Sequence, residues 1–335
     1  MELVKENNKN TLGISVIICC YNSANRLPQT LQYLSHQLVS NATRWEIVIV
    51  DNASTDDTAQ IAREILIRFS NQNFSFQIVK EKKPGLSFAR HTGVRNALYD
   101  VVIFCDDDNW LDKSYLQHAI AIINSDKTIG ALGGQGYVTS DVQIPDWFEE
   151  YKGSYAIGKQ GEVTGYVTQR EYVWGAGLVT KKDLFLSTIN EELPSLLTDR
   201  KGNELTSGGD NEYCQRLILL GYQLYYSEDL IFGHYMPANR LTIEYRDKLV
   251  KCQRECSMVV YQYTEAIRLK NTKKITKIKL LFYALKHILA SVFRRKKIHS
   301  RCMNIIFYFF GVGYNIDKDI RMIKHFYDAS RKSFS

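Results

Sequence analysis

Proline is scarce, with five in 335 residues, and the seven cysteines are an odd number with no C-x-x-C pair among them. An odd number leaves at least one cysteine without a partner, which is no sign of a complete disulfide framework. Cys19, Cys20 and Cys105 sit inside apolar runs, where cysteine behaves as a small hydrophobe, so a reducing compartment is expected. No stretch reaches the roughly 18 uninterrupted apolar residues of a spanning helix. The opening Met1-Glu-Leu-Val-Lys-Glu-Asn-Asn has no apolar leader. The chain is therefore expected in the cytoplasm, with peripheral attachment to the inner face of the cell membrane the remaining membrane relation. The sequons at Asn41-Ala-Thr43 and Asn73-Phe-Ser75 carry no weight there. Internal repeats and low-complexity linkers are absent. Acid is missing too, between Glu265 and Asp317, where about a dozen Lys and Arg fall. The net charge of +7 thus hides a net acidic first 265 residues and a basic tail.

What is there begins with alternation. Apolar runs at 14–20, 46–50, 74–79 and 101–105 read as strands, separated by amphipathic segments of helix length. The strand runs carry few polar residues, as a sheet covered on both faces requires. Right-handed crossovers then give an α/β fold with a mixed, mostly parallel sheet and helices on both faces. After about residue 130 the pattern weakens into Gly- and aromatic-rich stretches, then a helix near Asp210 and a strand pair over 222–234 are expected. The division expected is one domain over 1–246, with halves 12–125 and 126–246, and a helical basic extension over 247–335.

Ligands of open α/β sheets bind outside the carboxyl ends of the strands. Three strands here end in polar groups: Tyr21-Asn22, Asp51-Asn52-Ala-Ser-Thr-Asp56 and Asp106-Asp107-Asp108-Asn109. For 54–57 helix capping is the plain structural explanation. Asp51 lies too near the strand end for that, and its carboxylate can accept the imide N–H of a uracil-type base. Three adjacent carboxylates repel one another and call for a cation. Hard oxygen ligands suit Mg2+ or Mn2+, which take remaining ligands from water and substrate phosphates. In an extended segment Asp106 and Asp108 face one way and Asp107 the other.

With these residues in view, Ser15-Val-Ile-Ile-Cys-Cys-Tyr21-Asn22, Ile49-Val-Asp51-Asn-Ala-Ser54-Thr-Asp56, Gly85-Leu-Ser-Phe-Ala-Arg90-His-Thr-Gly93 and Phe104-Cys-Asp-Asp-Asp108 together resemble the nucleotide-sugar-binding half of family 2 glycosyltransferases. That family has the GT-A fold. The resemblance implies that Tyr21 and Asp51 contact the base, with Asn22 beside them. It also implies that Arg90 lies near the base or diphosphate, Asp106 approaches the ribose and Asp108 binds the metal. Gly208-Gly-Asp210-Asn-Glu212 resembles the family's acceptor-side motif, usually Gly-Glu-Asp before a helix, with Asp210 at the catalytic base and Gly209 in place of the customary Glu. An N-cap with Glu212 in the first turn explains the same residues structurally. Members often place a His at the position of His234 to complete the metal site and a following Arg, here Arg240, to meet phosphate. Trp174 and Trp147 could stack on sugars or be buried. Gly175 beside Trp174 permits close approach of a substrate.

Over 278–293, Ile278, Leu281, Phe282, Leu285, Leu289 and Val292 form one helical stripe, with Lys279, Lys286 and Arg294 opposite. With Lys273-Lys274 and 294–297 flanking it, the stripe suits an in-plane helix on an anionic membrane through residues 268–301. An ordinary helix packed on the catalytic domain is the alternative. The cluster over 304–310 adds an aromatic patch compatible with headgroups. No groove-reading or stacking motif accompanies the basic run, so no nucleic-acid partner is expected.

The function expected is inverting transfer of a sugar from a nucleoside diphosphate sugar, UDP-linked by the base reading, to a hydroxyl of a saccharide or lipid-linked saccharide. Mn2+ or Mg2+ is the cofactor, and surface polysaccharide synthesis the setting. A nucleotidyltransferase would want a Gly-rich basic loop after the first strand, which Tyr21-Asn-Ser-Ala-Asn25 is not. A non-catalytic nucleotide-sugar-binding protein at the membrane is the other rival, with Gly209 as its argument.

Overall fold

The computed structural model describes residues 13–69, 73–197, 199–200, 206–271, 277–293, 296–309 and 318–332. Four Val- and Ile-rich segments, β1 (Gly13–Cys20), β2 (Arg44–Asn52), β3 (Ser75–Glu81) and β4 (Val101–Asp106), pair in parallel in the order β3-β2-β1-β4. Their crossovers are α1 (Leu27–Ser35), α2 (Thr58–Arg68) and α3 (Leu86–Asn96). β1, β2 and β4 are buried almost throughout, which is why their sequences run apolar rather than alternating.

Beyond β4 the sheet turns mixed. The short β5 (Asn109–Leu111) follows a turn at Asp107 and Asp108, so the extended run expected through the aspartates ends at Asp106. α4 (Tyr115–Ser125) leads to β6 (Ile129–Thr139), an eleven-residue strand where only a weakened pattern was legible. After α5 (Phe148–Tyr151) and the two-residue β7 (Gly165–Tyr166), β8 (Val179–Lys181) runs antiparallel to both β4 and β6. α6 (Lys182–Thr188) and α7 (Gly209–Leu220) precede β9 (Gln223–Tyr235). The strand pair expected over 222–234 is this one thirteen-residue strand, which pairs with β5, β6 and β7 rather than folding back on itself. A hairpin needs a turn, and the polar Ser227-Glu-Asp229 only shifts the register against β6 after Gly133.

Two apolar cores cover the faces of the sheet. One holds Ile14, Val16, Ile18 and Ile49 with α1, α2 and α4. The other joins Ile17, Val48, Val50 and Phe104 to Tyr213 and Leu217 of α7. That second core continues into the C-terminal helices α8 (Ile243–Lys270), α10 (Lys296–Phe309) and α11 (Lys318–Lys332), through Tyr263, Ile305, Ile306, Ile323 and Phe326. Residues on both sides of position 246 therefore share one core. Of the patch expected to meet lipid over 304–310, Ile305 and Ile306 are fully buried and the Phe309 ring packs tilted against Tyr327 at 4.5 Å between centroids, while the side chains of Phe307 and Tyr308 lie outside the described ones. Packing of α10 against α9 and α8 is the reason. Phe310 lies outside the described residues.

Only α9 (Lys277–Phe293) keeps an apolar face in solvent among these helices' described side chains. Ala284 and His287 are buried, whereas Phe282, Leu285, Ile288, Leu289 and Val292 are 44–71% exposed. Lys273, Lys274, Arg294 and Arg295 lie outside the described residues. No described helix is long and apolar enough to cross a membrane.

Candidate active site

Pairing of β5 with β9 places Asn109 opposite His234, and the Tyr235 N–H donates to the Asp108 carbonyl at 2.9 Å. That register carries His234 to Asp108 across 126 positions of sequence. His234 Nε2 is 3.4 Å from Asp108 Oδ1. The other ring nitrogen, Nδ1, donates to the Tyr155 carbonyl at 2.9 Å. In the neutral imidazole this fixes the tautomer and turns the Nε2 lone pair toward the carboxylate. Asp108 Oδ2 meets Arg240 Nη1 at 2.7 Å. Burial opposes its charge, yet the Arg240 guanidinium beside it holds the Asp108 carboxyl far below the usual range.

Its neighbours behave differently. Asp107, which had no role in the sequence reading, pairs with Arg26 at 2.6 Å, and its carbonyl accepts from Thr30 Oγ1 at 2.8 Å. Burial pushes the Asp106 carboxyl up, Arg90 opposes that and Asp108 adds to it. Asp106 stands where two cavities meet. One, of about 420 Å³, is lined by Tyr21, Asn22, Arg26, Asn52 and the three aspartates. The other, of about 480 Å³, is lined by Trp174, Gly175, Asp210, Tyr245 and residues of α8. Leu86, Asp106, Arg200, His234 and Arg240 line both.

The nucleotide-side loops are tied to one another. Asn22, at φ 50°, accepts from Thr55 N at 2.8 Å, and its own N–H donates to Ser54 Oγ. Asp56 accepts from Ala24 N and Thr58 N, while Asp57 stands at the α2 N-cap without a side-chain bond. Residues 54–56 thus join two rim loops, and Asp56 also serves the first turn of α2. Asp51 is buried, accepts from Ser54 N at 3.1 Å, and is not among the residues lining either cavity. Asn52 holds the start of α3 by accepting from Gly85 N at 2.8 Å.

Arg90 reaches the second cavity. Its guanidinium lies 3.2 Å from Asp199 and 5.2 Å from the Phe104 ring centroid. Burial works against its charge, but Asp199 and Asp106 outweigh that and raise its pKa. Asp210 accepts from Gly175 N at 2.9 Å through Oδ2 and from Asn211 N through Oδ1. The N-cap of α7 is Gly208, at φ 104°, so Asp210 lies inside the first turn with its carboxylate on the cavity wall. Glu212 does not face solvent there: fully buried, it pairs with Arg216 at 2.6 Å. Trp174 is 7% exposed and covered by Arg170, so its ring is largely spoken for although it lines the cavity. Trp147 packs among Phe148, Tyr151 and Tyr155 and lines neither cavity.

Two nearly in-contact donors such as Asp108 Oδ1 and His234 Nε2 fit neighbouring positions of an octahedral ion, whose adjacent ligands stand about 3 Å apart. Among the described residues no group of three or more His, Cys, Asp or Glu side chains could hold an ion. The donor set suits a cation that takes most ligands from phosphate and water.

Residues 15–173 match the family model described as Glycosyl transferase family 2. That segment, just under half of the chain, is similar to glycosyltransferase family 2. It is 25% identical over 224 residues to glycosyltransferase AglE of Haloferax volcanii, covering 66% of each chain. It is 30% identical over 132 residues to the poly-beta-1,6-N-acetyl-D-glucosamine synthase of Staphylococcus aureus, covering 39% of this chain and 30% of that one. A 104-residue match, 34% identical, to glycosyltransferase GlyA of Streptococcus pneumoniae covers 31% of this chain and 14% of the relative. The matches therefore span less than two thirds of these relatives' length. Among solved structures, S. aureus TarS 1-349 in complex with UDP-GlcNAc has a TM-score of 0.54 at 15% identity, over 96% of this chain and 92% of that one. Mannosyltransferase PcManGT from Pyrobaculum calidifontis, in complex with GDP-Man and Mn2+, has 0.53 at 16%, over 96% and 86%. These likenesses establish the GT-A fold.

Three polar residues lining the two cavities escaped the sequence reading. Arg26 and Arg200 sit in unpatterned loops, and Asp199 precedes the start of the acceptor motif at Gly208 by nine positions. No short-range spacing links them to the groups they meet. Only the excess of charged residues near a Gly-Gly helix start marked the 199–210 segment at all.

Proposed function

We propose that the chain transfers a glycosyl group, with inversion, from a nucleoside diphosphate sugar, UDP-linked, to a hydroxyl of a saccharide or lipid-linked saccharide acceptor in surface polysaccharide synthesis. The carrying observation is the meeting of two cavities at Asp106, His234 and Arg240, with Asp210 exposed to the second. In this reading the nucleotide lies over Tyr21, Asn22 and Asp106, with Asp51 and its loop behind them, and the acceptor lies along Trp174, Gly175 and α8.

Asp210 accepts the proton of the acceptor hydroxyl as that oxygen bonds to the anomeric carbon. The bond from that carbon to the phosphate oxygen breaks, and the nucleoside diphosphate leaves with the electron pair. One displacement inverts the centre. Gly175 N–H holds one Asp210 oxygen, which fixes the carboxylate's direction. Arg240 and Arg90 offer positive charge on either side of the shared wall, and Arg240's planar fork can pass from Asp108 to phosphate. Asp108 and His234, with Asp106 beside them, would hold Mn2+ or Mg2+, which when bound neutralises charge on the departing diphosphate.

The surface partner proposed is an anionic bilayer on the cytoplasmic side, met by α9 within residues 268–301. The solvent-facing Phe282, Leu285, Ile288, Leu289 and Val292 support it. A lipid-linked acceptor would then be delivered beside the catalytic domain.

The test is release of nucleoside diphosphate from UDP-GlcNAc or GDP-Man with Mn2+, the nucleotide sugars bound by the structural neighbours. Asp210→Asn should lower kcat about 10²- to 10⁴-fold while each nucleotide sugar still raises the unfolding temperature. Equal turnover by parent and variant overturns the base assignment.

A further inference from the structure

Gly209 opens α7, yet its backbone does not require glycine. The requirement is spatial: a Cβ at this position would lie 2.2 Å from Asp199 Oδ2 and 2.7 Å from its Cγ. The carboxylate of Asp199 already fills the space a side chain at 209 would take. Asp199 itself is held at φ 52°, a left-handed conformation that aspartate tolerates better than most residues.

Its two oxygens are both used. Oδ1 accepts from Gly209 N at 2.7 Å and so caps the helix that carries Asp210. Oδ2 meets Arg90 at 3.2 Å. Arg90 in turn packs over Gly175, where a Cβ would come within 2.6 Å of Nη2, and the Gly175 N–H holds Asp210. A closed circuit thus runs from the first amide of α7 through Asp199, Arg90 and Gly175 back to Asp210. The segment delivering Asp199 is anchored as well. Glu212 Oε2 accepts from Ser195 Oγ, Leu196 N and Leu197 N, and Arg216 donates to the carbonyls of Thr188, Leu193 and Pro194.

We infer that Asp199 is a positioning residue for Asp210, supplying from the preceding segment the carboxylate that Gly209 lacks and setting the first turn of α7 against Arg90 and Gly175. This rests on the reading of Asp210 as base. It also explains why the Gly209 departure leaves a filled site.

The full-length chain with UDP-GlcNAc, GDP-Man and Mn2+ tests it, with thermal unfolding recorded for each variant. Asp199→Asn keeps an oxygen for Gly209 N–H but removes the charge facing Arg90. It should fold and lose about tenfold in kcat with KM little changed. Asp199→Ala should lose more. Gly209→Glu alone should also lose activity, because the new side chain meets Asp199. Joining the two as Asp199→Ala/Gly209→Glu should recover activity and unfolding temperature above either single variant, since one carboxylate replaces the other. Parent kcat in Asp199→Asn, or additive losses in the double variant, overturns the inference. Should Asp210→Asn retain full transfer, the base reading fails instead, a result separable from failure at Asp199.

Discussion

At Asp108 one carboxylate answers two basic partners, and the balance decides what the site can bind. With Oδ2 held by Arg240 and Oδ1 facing the His234 lone pair, removing the carboxylate leaves Arg240 buried without its counter-charge. Asp108→Ala should therefore abolish the Mn2+-dependent part of the thermal shift produced by UDP-GlcNAc or GDP-Man. An unchanged metal dependence would remove Asp108 from the site. Asp199 gives a pH prediction. Burial pushes its carboxyl up to about 6, opposed by Arg90 of α3 and reinforced by Asp210 and Glu212 of α7. The unfolded chain releases the same proton near 4. Its stabilising contribution is thus complete below about pH 4 and is lost as pH rises through about 6, at most about 3 kcal/mol. Asp199→Asn should flatten the stability profile across that window, measured by urea unfolding between pH 4 and 7. A parent-like slope would show that the charge lies elsewhere. The triplet of aspartates was legible in the sequence because adjacent carboxylates are conspicuous. Asp199 was not, because its partners Arg90 and Gly209 are set by folding and not by spacing.

Elements carry the next layer. The β6–β9 pairing shifts register between Gly133 and Gln135, and a Cβ on Gly134 would sit 1.9 Å from the Leu230 carbonyl oxygen. Backbone cannot give way as a side-chain tip can. Gly134→Ala should cost about 1–3 kcal/mol, toward the upper end, and lower nucleotide-sugar binding too, since β9 carries His234. Denaturant unfolding and thermal shift together check this, and a neutral variant would show the pairing to be looser. β1 to β4 could be read from apolar runs because both faces of those strands are covered. β6 and β9 could not, because their faces change environment along the strand and Gly133, Gly134 and Gly136 interrupt the pattern. The α9 stripe was legible as amphipathic, but periodicity alone does not say whether an apolar face meets protein or lipid. Its orientation predicts that the intact protein sediments with vesicles containing anionic lipid at low salt. Phe282→Ser/Leu285→Ser/Leu289→Ser should reduce the bound fraction several-fold, given about 1.5–3 kcal/mol for each large apolar side chain buried. Equal sedimentation of both proteins would count against the bilayer.

The whole molecule ties its basic C-terminal part to the catalytic sheet. Ile305, Ile306, Ile323 and Phe326 pack in the same core as Leu217, Cys214 and Tyr263, and the Arg216 guanidinium lies 4.8 Å from the Phe326 ring centroid. Deleting residues beyond 270 should therefore strip the outer face of α7 and give a chain that aggregates or melts well below the parent. Phe326→Ala alone should cost about 3–5 kcal/mol by denaturant unfolding. A truncated chain as stable as the parent would show the tail to be an appendage. The sequence by itself determined the parallel half of the sheet, the family motifs at the strand ends and the segregation of positive charge, since these follow from local composition and spacing. Tertiary structure alone decided which charges meet. It brought His234 to Asp108 through strand register, Asp199 into the space left by Gly209, α11 onto α7 and α10 onto α8, because contacts between distant segments depend on how the cores close. The aspartate pair at 106 and 108 illustrates both: its acidity is written in the chain, while its partners are chosen by the fold.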